Sequence, residues 1–229
     1  SYARSDTLDR TTFQFYSPGL LLEFNNLNRK EYPSSGTRLA FESYLVFGEE
    51  EYRLGSTALV HEEISRRHSW FQAALTYENY FKKISFLKLG FYSQVHYSTQ
   101  NYFSNYSSSI LSAAAFQPVP ESRTRFLPQF RANKYLAVGS KNVIMLRKNI
   151  DFRIEGYLFM PVNGIEQTPL TKLAVRAPEV KLWPMGTSAL VYFSPVGPVS
   201  LSLNYFHGEM EPFSFFLKFG YLIFNKRPF

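Results

Sequence analysis

The sequence contains few groupings of residues that could perform catalysis or hold a metal. A serine nucleophile on a strand-to-helix turn needs the spacing Gly-x-Ser-x-Gly. The nearest match, Gly186-Thr-Ser-Ala-Leu190, lacks the second glycine and lies within a strand pattern. The four histidines lack ligand spacing, and the chain has no cysteine for a metal site or a disulfide. We therefore predict no catalytic residue, no metal and no cofactor.

Two acidic runs could form a cation site. Residues 49–51 are three consecutive glutamates, and residues 62–63 are two more. Carboxylates are the ligands that Ca²⁺ prefers, so either run could hold a cation at the end of a strand. Solvated loop charge is the favoured interpretation.

The composition indicates a β-rich chain with an unusual amount of aromatic surface. Among 229 residues there are 23 Phe, 16 Tyr and 2 Trp. Disordered chains are poor in aromatic residues, and no run approaches the roughly 20 apolar residues of a membrane-spanning helix. The net charge of +7 comes from basic residues that are mostly isolated along the chain. A nucleic-acid partner would need them clustered on one face, so none is predicted.

Alternation of apolar and polar residues with a period of two is the dominant pattern, and it predicts β-strands. Its clearest instance is residues 84–97, where one apolar face consists of Leu87, Leu89, Phe91, Val95 and Tyr97. About ten strands are predicted, at residues 11–25, 36–52, 70–80, 84–97, 107–117, 134–147, 149–160, 186–194, 198–206 and 213–224. Residues 53–64 could add one more. No segment has a sustained helical period, so no substantial helix is predicted.

The connections between the predicted strands alternate between short and long. Tight turns are predicted at Lys82-Lys83, at Lys148-Asn149 and at residues 195–198. Longer polar connections are predicted at residues 99–109, 118–128 and 164–183. Short turns at one end and long loops at the other are typical of outer-membrane β-barrels.

The distribution of charge separates a membrane barrel from a soluble β-sandwich, because both alternate. The apolar faces carry almost no charge, whereas the opposite faces include Glu78, Lys88 and Arg153. A barrel places its apolar face against lipid and its charged face in the lumen, with aromatic residues near the strand ends. We predict an all-β fold, an antiparallel transmembrane β-barrel in which residues 1–229 form a single domain.

The end of the chain has the character of a terminal barrel strand. Residues 219–229 read FGYLIFNKRPF, with Phe219, Tyr221 and Ile223 in alternation and Phe229 as the final residue. This pattern resembles the signal by which outer-membrane barrels are recognised for insertion. The predicted partners are therefore outer-membrane lipids and the barrel assembly machinery, and the predicted location is the bacterial outer membrane.

Two segments resemble the BamA-like bacterial surface antigen barrel superfamily. The first, LEFNNLNRKEYPSSG at residues 22–36, is similar to a strand–turn–strand element of that superfamily. The second is the last three strands, which begin with GTSALVYFSPVGP at residues 186–198. With FLPQFRANKYLAVG at residues 126–139, they look most like the C-terminal barrel of patatin-like outer-membrane phospholipases of Bacteroidota.

This resemblance implies that a patatin-like hydrolase domain and earlier strands of a barrel of about sixteen strands precede the chain. The chain would then be an N-terminally incomplete barrel that serves as a membrane anchor or translocation-type barrel, within a homodimer or other membrane complex. The superfamily also carries an arginine in a loop that folds into the lumen. Arg131 is the matching candidate, with Asp151 and Glu155 as its acidic partners.

Two alternatives remain open at this point. Ten strands could close by themselves into a small barrel that acts as a pore or as a component of secretion machinery. The chain could also be a soluble β-sandwich that binds a partner.

Overall fold

The computed structural model describes residues 9–55, 63–162, 164–168, 174–176 and 181–220. Its strands are β1 (Arg10–Tyr16), β2 (Gly19–Asn25), β3 (Gly36–Arg53), β4 (Glu63–Ile84), β5 (Leu87–Ser98), β6 (Lys134–Arg147), β7 (Ile150–Pro161), β8 (Ile165–Gln167), β9 (Ala174–Arg176), β10 (Trp183–Ser194), β11 (Gly197–Phe206) and β12 (Phe213–Phe219). One α-helix, α1 (Tyr106–Ser112), and two 3-10 helices at Pro120–Arg123 and Pro128–Phe130 lie between β5 and β6.

Ten of these strands form one antiparallel sheet, which confirms the predicted all-β fold. The order is β1, β3, β4, β5, β6, β7, β10, β11 and β12, with β2 also paired to β3. Strands β8 and β9 form a separate two-stranded antiparallel sheet. Within the described residues, no ladder joins the β1–β2 edge to β12, so the described sheet has two open edges.

Strands β1 and β2 are two halves of one strand that is interrupted at Pro18. Tyr16 pairs with Phe47 and Gly19 pairs with Tyr44, so the register on β3 continues without a slip. The carbonyl of Pro18 still accepts a hydrogen bond from the Leu45 N–H at 3.0 Å. Because proline has no N–H, it can return no bond, and the ladder is weakened only at this residue.

The three tight turns share one end of the sheet as predicted, although the longer connection at residues 26–35, between β2 and β3, lies at that end too. The turns at residues 85–86, 148–149 and 195–196 lie at one end, which we call the turn rim. The first of them is displaced from its predicted position, because Lys82 and Lys83 still pair within the β4–β5 hairpin. The longer connection between β5 and β6 lies at the opposite end, the loop rim.

Residues 107–117 were predicted to be a strand, and this prediction is wrong. Most of the segment forms α1, whose N-cap Asn105 accepts a hydrogen bond from the Ser108 N–H at 2.7 Å. The adjacent residues Ser109 and Ile110 are both buried, whereas the side chains of adjacent residues in a strand point to opposite faces. None of the helices in the described parts of the chain is long and apolar enough to cross a bilayer.

The two faces of the sheet have opposite burial. The polar face, which we call the inner face, is buried and includes Glu78, Lys141 and Arg153. The apolar outer face is exposed, with Leu75 at 44% and Ile154 at 47% of full exposure. Two segments cover the inner face: residues 26–35, named the plug loop, and residues 99–133, named the inner segment.

Candidate functional site: the covered inner face

Charged side chains near the middle of the inner face are paired across strands. Lys141 Nζ on β6 donates to Glu78 Oε1 on β4 at 2.8 Å, across the intervening β5. On β7, the Arg153 guanidinium lies 2.9 Å from Glu155 Oε1. All four residues are buried. Buried charges are tolerated only when they are paired, and here each buried carboxylate has a cation beside it.

Arg153 also connects the sheet to the plug loop. Its Nη2 donates to the Tyr80 hydroxyl at 2.9 Å, and its Nη1 donates to the carbonyl of Pro33 at 2.8 Å. The side chain is only 2% exposed. One guanidinium therefore binds a carboxylate, a phenol and a backbone carbonyl at once. This is possible because the planar guanidinium carries five N–H donors in a fixed geometry.

Further contacts hold the plug loop across the inner face. Arg29 Nη1 lies 3.2 Å from Asp151 Oδ2 on β7, and Lys88 Nζ on β5 donates to Ser34 Oγ at 3.2 Å. Toward the far edge, the hydroxyls of Tyr32 and of Ser200 on β11 are 2.7 Å apart. The loop thus contacts strands from β5 to β11 at the turn rim.

The plug loop is also organised internally. The side-chain carbonyl of Asn28 accepts hydrogen bonds from the N–H groups of Ser34 at 2.9 Å and Ser35 at 3.1 Å. Tyr32 adopts a left-handed backbone conformation with φ of 52°. Burial raises the pKa of the Tyr32 hydroxyl above its ordinary value, although the hydrogen bond to Ser200 opposes this shift. The phenol is therefore protonated at neutral pH and can donate.

The inner segment covers the other half of the inner face with an aromatic cluster. Phe116 stacks on Phe159 with ring centroids 5.5 Å apart. Phe130 lies 5.8 Å from Phe159 and 6.5 Å from Phe206. Phe116, Phe130, Phe159 and Phe206 are each at most 1% exposed. Burial of this aromatic surface stabilises the segment on the sheet.

A polar contact reinforces this packing near β11. Glu121, in the first 3-10 helix of the inner segment, is 3% exposed. Its Oε1 accepts a hydrogen bond from the hydroxyl of Ser202 at 2.8 Å. Ser202 follows Ser200 by two residues, so neighbouring positions on one strand bind the inner segment and the plug loop respectively.

The start of the inner segment is attached to the long β3–β4 hairpin through Glu50. This carboxylate is fully buried, lies 2.8 Å from His68 Nε2 and accepts a hydrogen bond from the Ser104 N–H at 2.9 Å. Phe103 stacks on the His68 ring with centroids 4.6 Å apart. The acidic run at residues 49–51 therefore contributes a structural anchor from within β3. Glu62 of the second run lies outside the described residues.

Cavities lie between the sheet and the inner segment in the described part of the chain, and two of them are lined by residues of both. One, of about 350 Å³, is lined by aromatic residues that include Phe13, Tyr44 and Trp70. The other, of about 200 Å³, lies between β3–β6 and the inner segment and is lined by residues that include Glu42, Gln94 and His96.

The structure does not bring Arg131 to the two carboxylates that were expected to bind it. Arg131 Nη1 instead donates to the carbonyl oxygens of Leu111 at 2.8 Å and Ala113 at 3.1 Å. Asp151 pairs with Arg29, and Glu155 pairs with Arg153. Burial lowers the pKa of the Arg131 guanidinium, and no carboxylate contributes to that shift. Arg131 closes the end of α1 because the inner segment folds back on itself before β6 begins.

The residues predicted to form the insertion signal are only partly described. Phe219 ends β12 and is 71% exposed on the outer face. Tyr221, Ile223 and Phe229 lie outside the described residues. The serine motif at residues 186–190 lies within β10, as its strand pattern predicts.

Sequence reasoning missed the residues that attach the covering segments. Arg29, Tyr32 and Glu121 received no role, although each contacts the inner face. The available signal was the Asn-rich and charged composition of residues 22–36, which was used only for its resemblance to a strand–turn–strand element.

No protein-family model, curated protein or solved structure matches this chain.

Proposed function

We propose that this chain is a membrane-embedded part of a bacterial outer-membrane β-barrel. The observation that carries the proposal is the inverted burial of the sheet. Leu201 is 52% exposed on the outer face, whereas Arg153 and Glu155 are buried on the inner face. When the sheet lies in a bilayer, the apolar side chains of the outer face contact lipid instead of water. The charged side chains of the inner face remain paired in the lumen.

The same observation argues against a soluble β-sandwich. A sandwich buries its apolar faces between two sheets and turns its polar faces to water. Here the apolar side chains of successive strands, such as Leu75 on β4, Val95 on β5 and Leu136 on β6, would form a continuous exposed surface. Such a surface exceeds the patch that a monomeric soluble protein normally tolerates.

The covered inner face favours an anchor over a permanently open pore. The plug loop occupies the turn rim, and the inner segment occupies the loop rim. An open porin instead keeps a water-filled lumen. Here a guanidinium that is 2% exposed and an aromatic cluster fill that space.

The finer assignment depends on the resemblance to BamA-like barrels. We propose that the chain serves as the membrane anchor or translocation-type barrel for a patatin-like phospholipase domain outside residues 1–229. Its partners would be outer-membrane lipids, the barrel assembly machinery during insertion, and a homodimer or other membrane complex.

Solubility and gel migration test the membrane proposal. We expect the chain to fractionate with outer membranes, to require detergent, and to migrate faster on a gel before heating than after heating. A chain that stays monomeric and folded in buffer without detergent would refute the proposal and favour the β-sandwich.

Two further measurements separate the anchor from its alternative. In planar bilayers, the anchor should give no steady conductance, whereas a small complete pore should give stable openings. The polypeptide encoded upstream of Ser1 should contain a Gly-x-Ser-x-Gly hydrolase motif. A signal peptide directly before Ser1 would contradict the phospholipase assignment and leave the membrane sheet intact.

A further inference from the structure

The two open edges of the ten-stranded sheet run in the same direction. Because β1 and β2 share one register on β3, they occupy one position, and the sheet has nine positions. Each position in an antiparallel sheet reverses the direction of the previous one, so the first and the ninth are parallel. Both run from the loop rim toward the turn rim.

Direct pairing of these two edges would therefore create a parallel ladder. Bacterial outer-membrane barrels of a single chain close with an even number of antiparallel strands. We propose that an odd number of further antiparallel strands fills the gap between the β1–β2 edge and β12. We also propose that these strands precede Ser1 in the same polypeptide. The proposal rests on the proposed function, because closure is required only of a sheet that lies in lipid.

The backbone of the first edge can accept such a strand. The N–H groups of Leu45 and Asn26 donate to the carbonyls of Pro18 and Thr37, so even-numbered residues of the first edge point their backbone groups at β3. The backbone N–H and C=O groups of the odd-numbered residues from 11 to 23 point toward the gap. None of these is proline, and Pro18 faces β3, so the gap side keeps its full set of donors and acceptors.

The backbone of β12 is equally available. The Gly220 N–H donates to the carbonyl of Pro198 at 2.7 Å, which places even-numbered positions against β11. The backbone groups of Phe213, Phe215, Leu217 and Phe219 therefore face the gap. No ladder partner exists for them in the described residues.

Side-chain exposure on the outer face rises at both edges. Phe24 on β2 is 60% exposed, and Phe215 on β12 is 78% exposed. Phenylalanines on the outer face of interior strands are less exposed, with Phe71 on β4 at 39% and Phe91 on β5 at 40%. The difference is expected where the cross-strand neighbour of an edge residue is missing. The strand that fits this gap has apolar outward residues.

A second copy of this chain is a poor occupant. If two copies share one orientation in the membrane, β12 of one and β2 of the other are again parallel. An antiparallel contact of β12 with β12 would require one copy to be inverted. By contrast, β1 begins at the loop rim, so a preceding strand joined by a short hairpin is antiparallel to β1, and consecutive strands usually pair.

Disulfide cross-linking tests the proposal cleanly because the chain has no cysteine of its own. The full polypeptide should carry one cysteine at Phe215, Leu217 or Phe219 and a second one scanned along its alternating segments upstream of Ser1. We expect links to one upstream segment in an antiparallel register, so the best partner moves backward as the β12 position moves forward. The pair Leu203→Cys with Phe215→Cys, neighbours on β11 and β12, is the positive control.

Three results would overturn the proposal when the control pair cross-links. They are direct links from Leu20, Leu22 or Phe24 to β12, links between two copies through Phe215→Cys alone, and no upstream link. The membrane proposal is tested separately by solubility. A chain that is soluble without detergent would refute that proposal whatever the cross-links show.

Discussion

Lys218 on the last strand of the sheet donates to Glu31, which lies in the plug loop after the first strand, with Nζ and Oε1 3.0 Å apart. Both side chains are partly exposed, at 26% and 35%, so the ion pair itself contributes less than about 1 kcal/mol. Its importance is geometric. A loop that leaves one edge of a nine-position sheet can reach the other edge only if the sheet curls around the loop.

This arrangement predicts that the plug loop alone shields Ser200 from a reagent that enters at the turn rim. Ser200 is 1% exposed and hydrogen-bonded to Tyr32. In the variant Ser200→Cys, we expect a membrane-impermeant maleimide to react slowly. When residues 27–34 are replaced by a two-residue Asn-Gly turn, we expect the rate to increase by at least tenfold, because the covering hydroxyl and backbone are removed.

Ser202→Cys is the matched control for this experiment. It lies on the same strand and is equally buried, but Glu121 of the inner segment covers it. Its labelling rate should not change when the plug loop is shortened. Equal acceleration at both positions would show that the variant has lost its fold, and no acceleration at Ser200→Cys would show that the loop does not cover it.

A second prediction concerns the charge of Arg153. In Arg153→Met, Glu155 loses the guanidinium beside it and Pro33 loses a donor. Removal of one partner of a buried ion pair typically costs about 3–5 kcal/mol. We expect a loss of this size in the free energy of unfolding, measured by urea titration in detergent micelles or vesicles.

The double variant Arg153→Met with Glu155→Gln separates lost charge from lost packing. It should recover part of the stability, since no unpaired carboxylate remains. Arg67→Met is the control for removal of an arginine, because its pair with Glu49 is exposed on both sides. If Arg153→Met were no more damaging than Arg67→Met, the inner network would not stabilise the sheet.

The antiparallel all-β sheet was largely predictable from the sequence, because strand alternation indicates which face is polar. Leu87 and Lys88 differ so clearly in character that their faces could be assigned without a structure. The inner segment was not predictable in this way. Its helix at Tyr106–Ser112 has only seven residues, too few for a helical period, and its Tyr106 and Ile110 also suit a strand.

The contacts of the inner face could not be predicted from the sequence, for a different reason. Arg29 and Asp151 are separated by 122 residues, and nothing in their neighbours records the pairing. The expectation for Arg131 came from a resemblance, whereas in the structure its side chain donates to backbone carbonyls of the inner segment. Which of several loop arginines meets a given carboxylate depends on the path of the loop.

A third prediction concerns the anchor at Glu50. In Glu50→Ala, the Ser104 N–H and the His68 ring lose their acceptor in a buried site. An unsatisfied buried group costs about 1–3 kcal/mol, so the start of the inner segment should detach before the sheet unfolds. Limited chymotrypsin digestion should cut at Tyr102 or Phe103 much faster than in the parent chain.

Two neighbouring variants make this result specific. Glu50→Gln keeps an oxygen that can accept from Ser104, so its digestion should be intermediate. Glu51→Ala removes an exposed carboxylate at the next position and should leave the digestion unchanged. Fast cleavage in Glu51→Ala would mean that the acidic run acts through its total charge and not through one buried contact.

The final prediction tests whether the exposed outer face lies in lipid. Leu75 is in the interior of β4 and 44% exposed, and Met210 is fully exposed in the connection between β11 and β12. In water, arginine would be tolerated at both positions. In a bilayer, Leu75→Arg should lower the free energy of unfolding by about 2–4 kcal/mol if it lies near the midplane, because the charge must enter hydrocarbon. Met210→Arg should have little effect, since that residue would lie beyond the membrane. Unfolding measured in lipid vesicles gives both values, and an equally silent result at the two positions would contradict the assignment of the outer face to lipid.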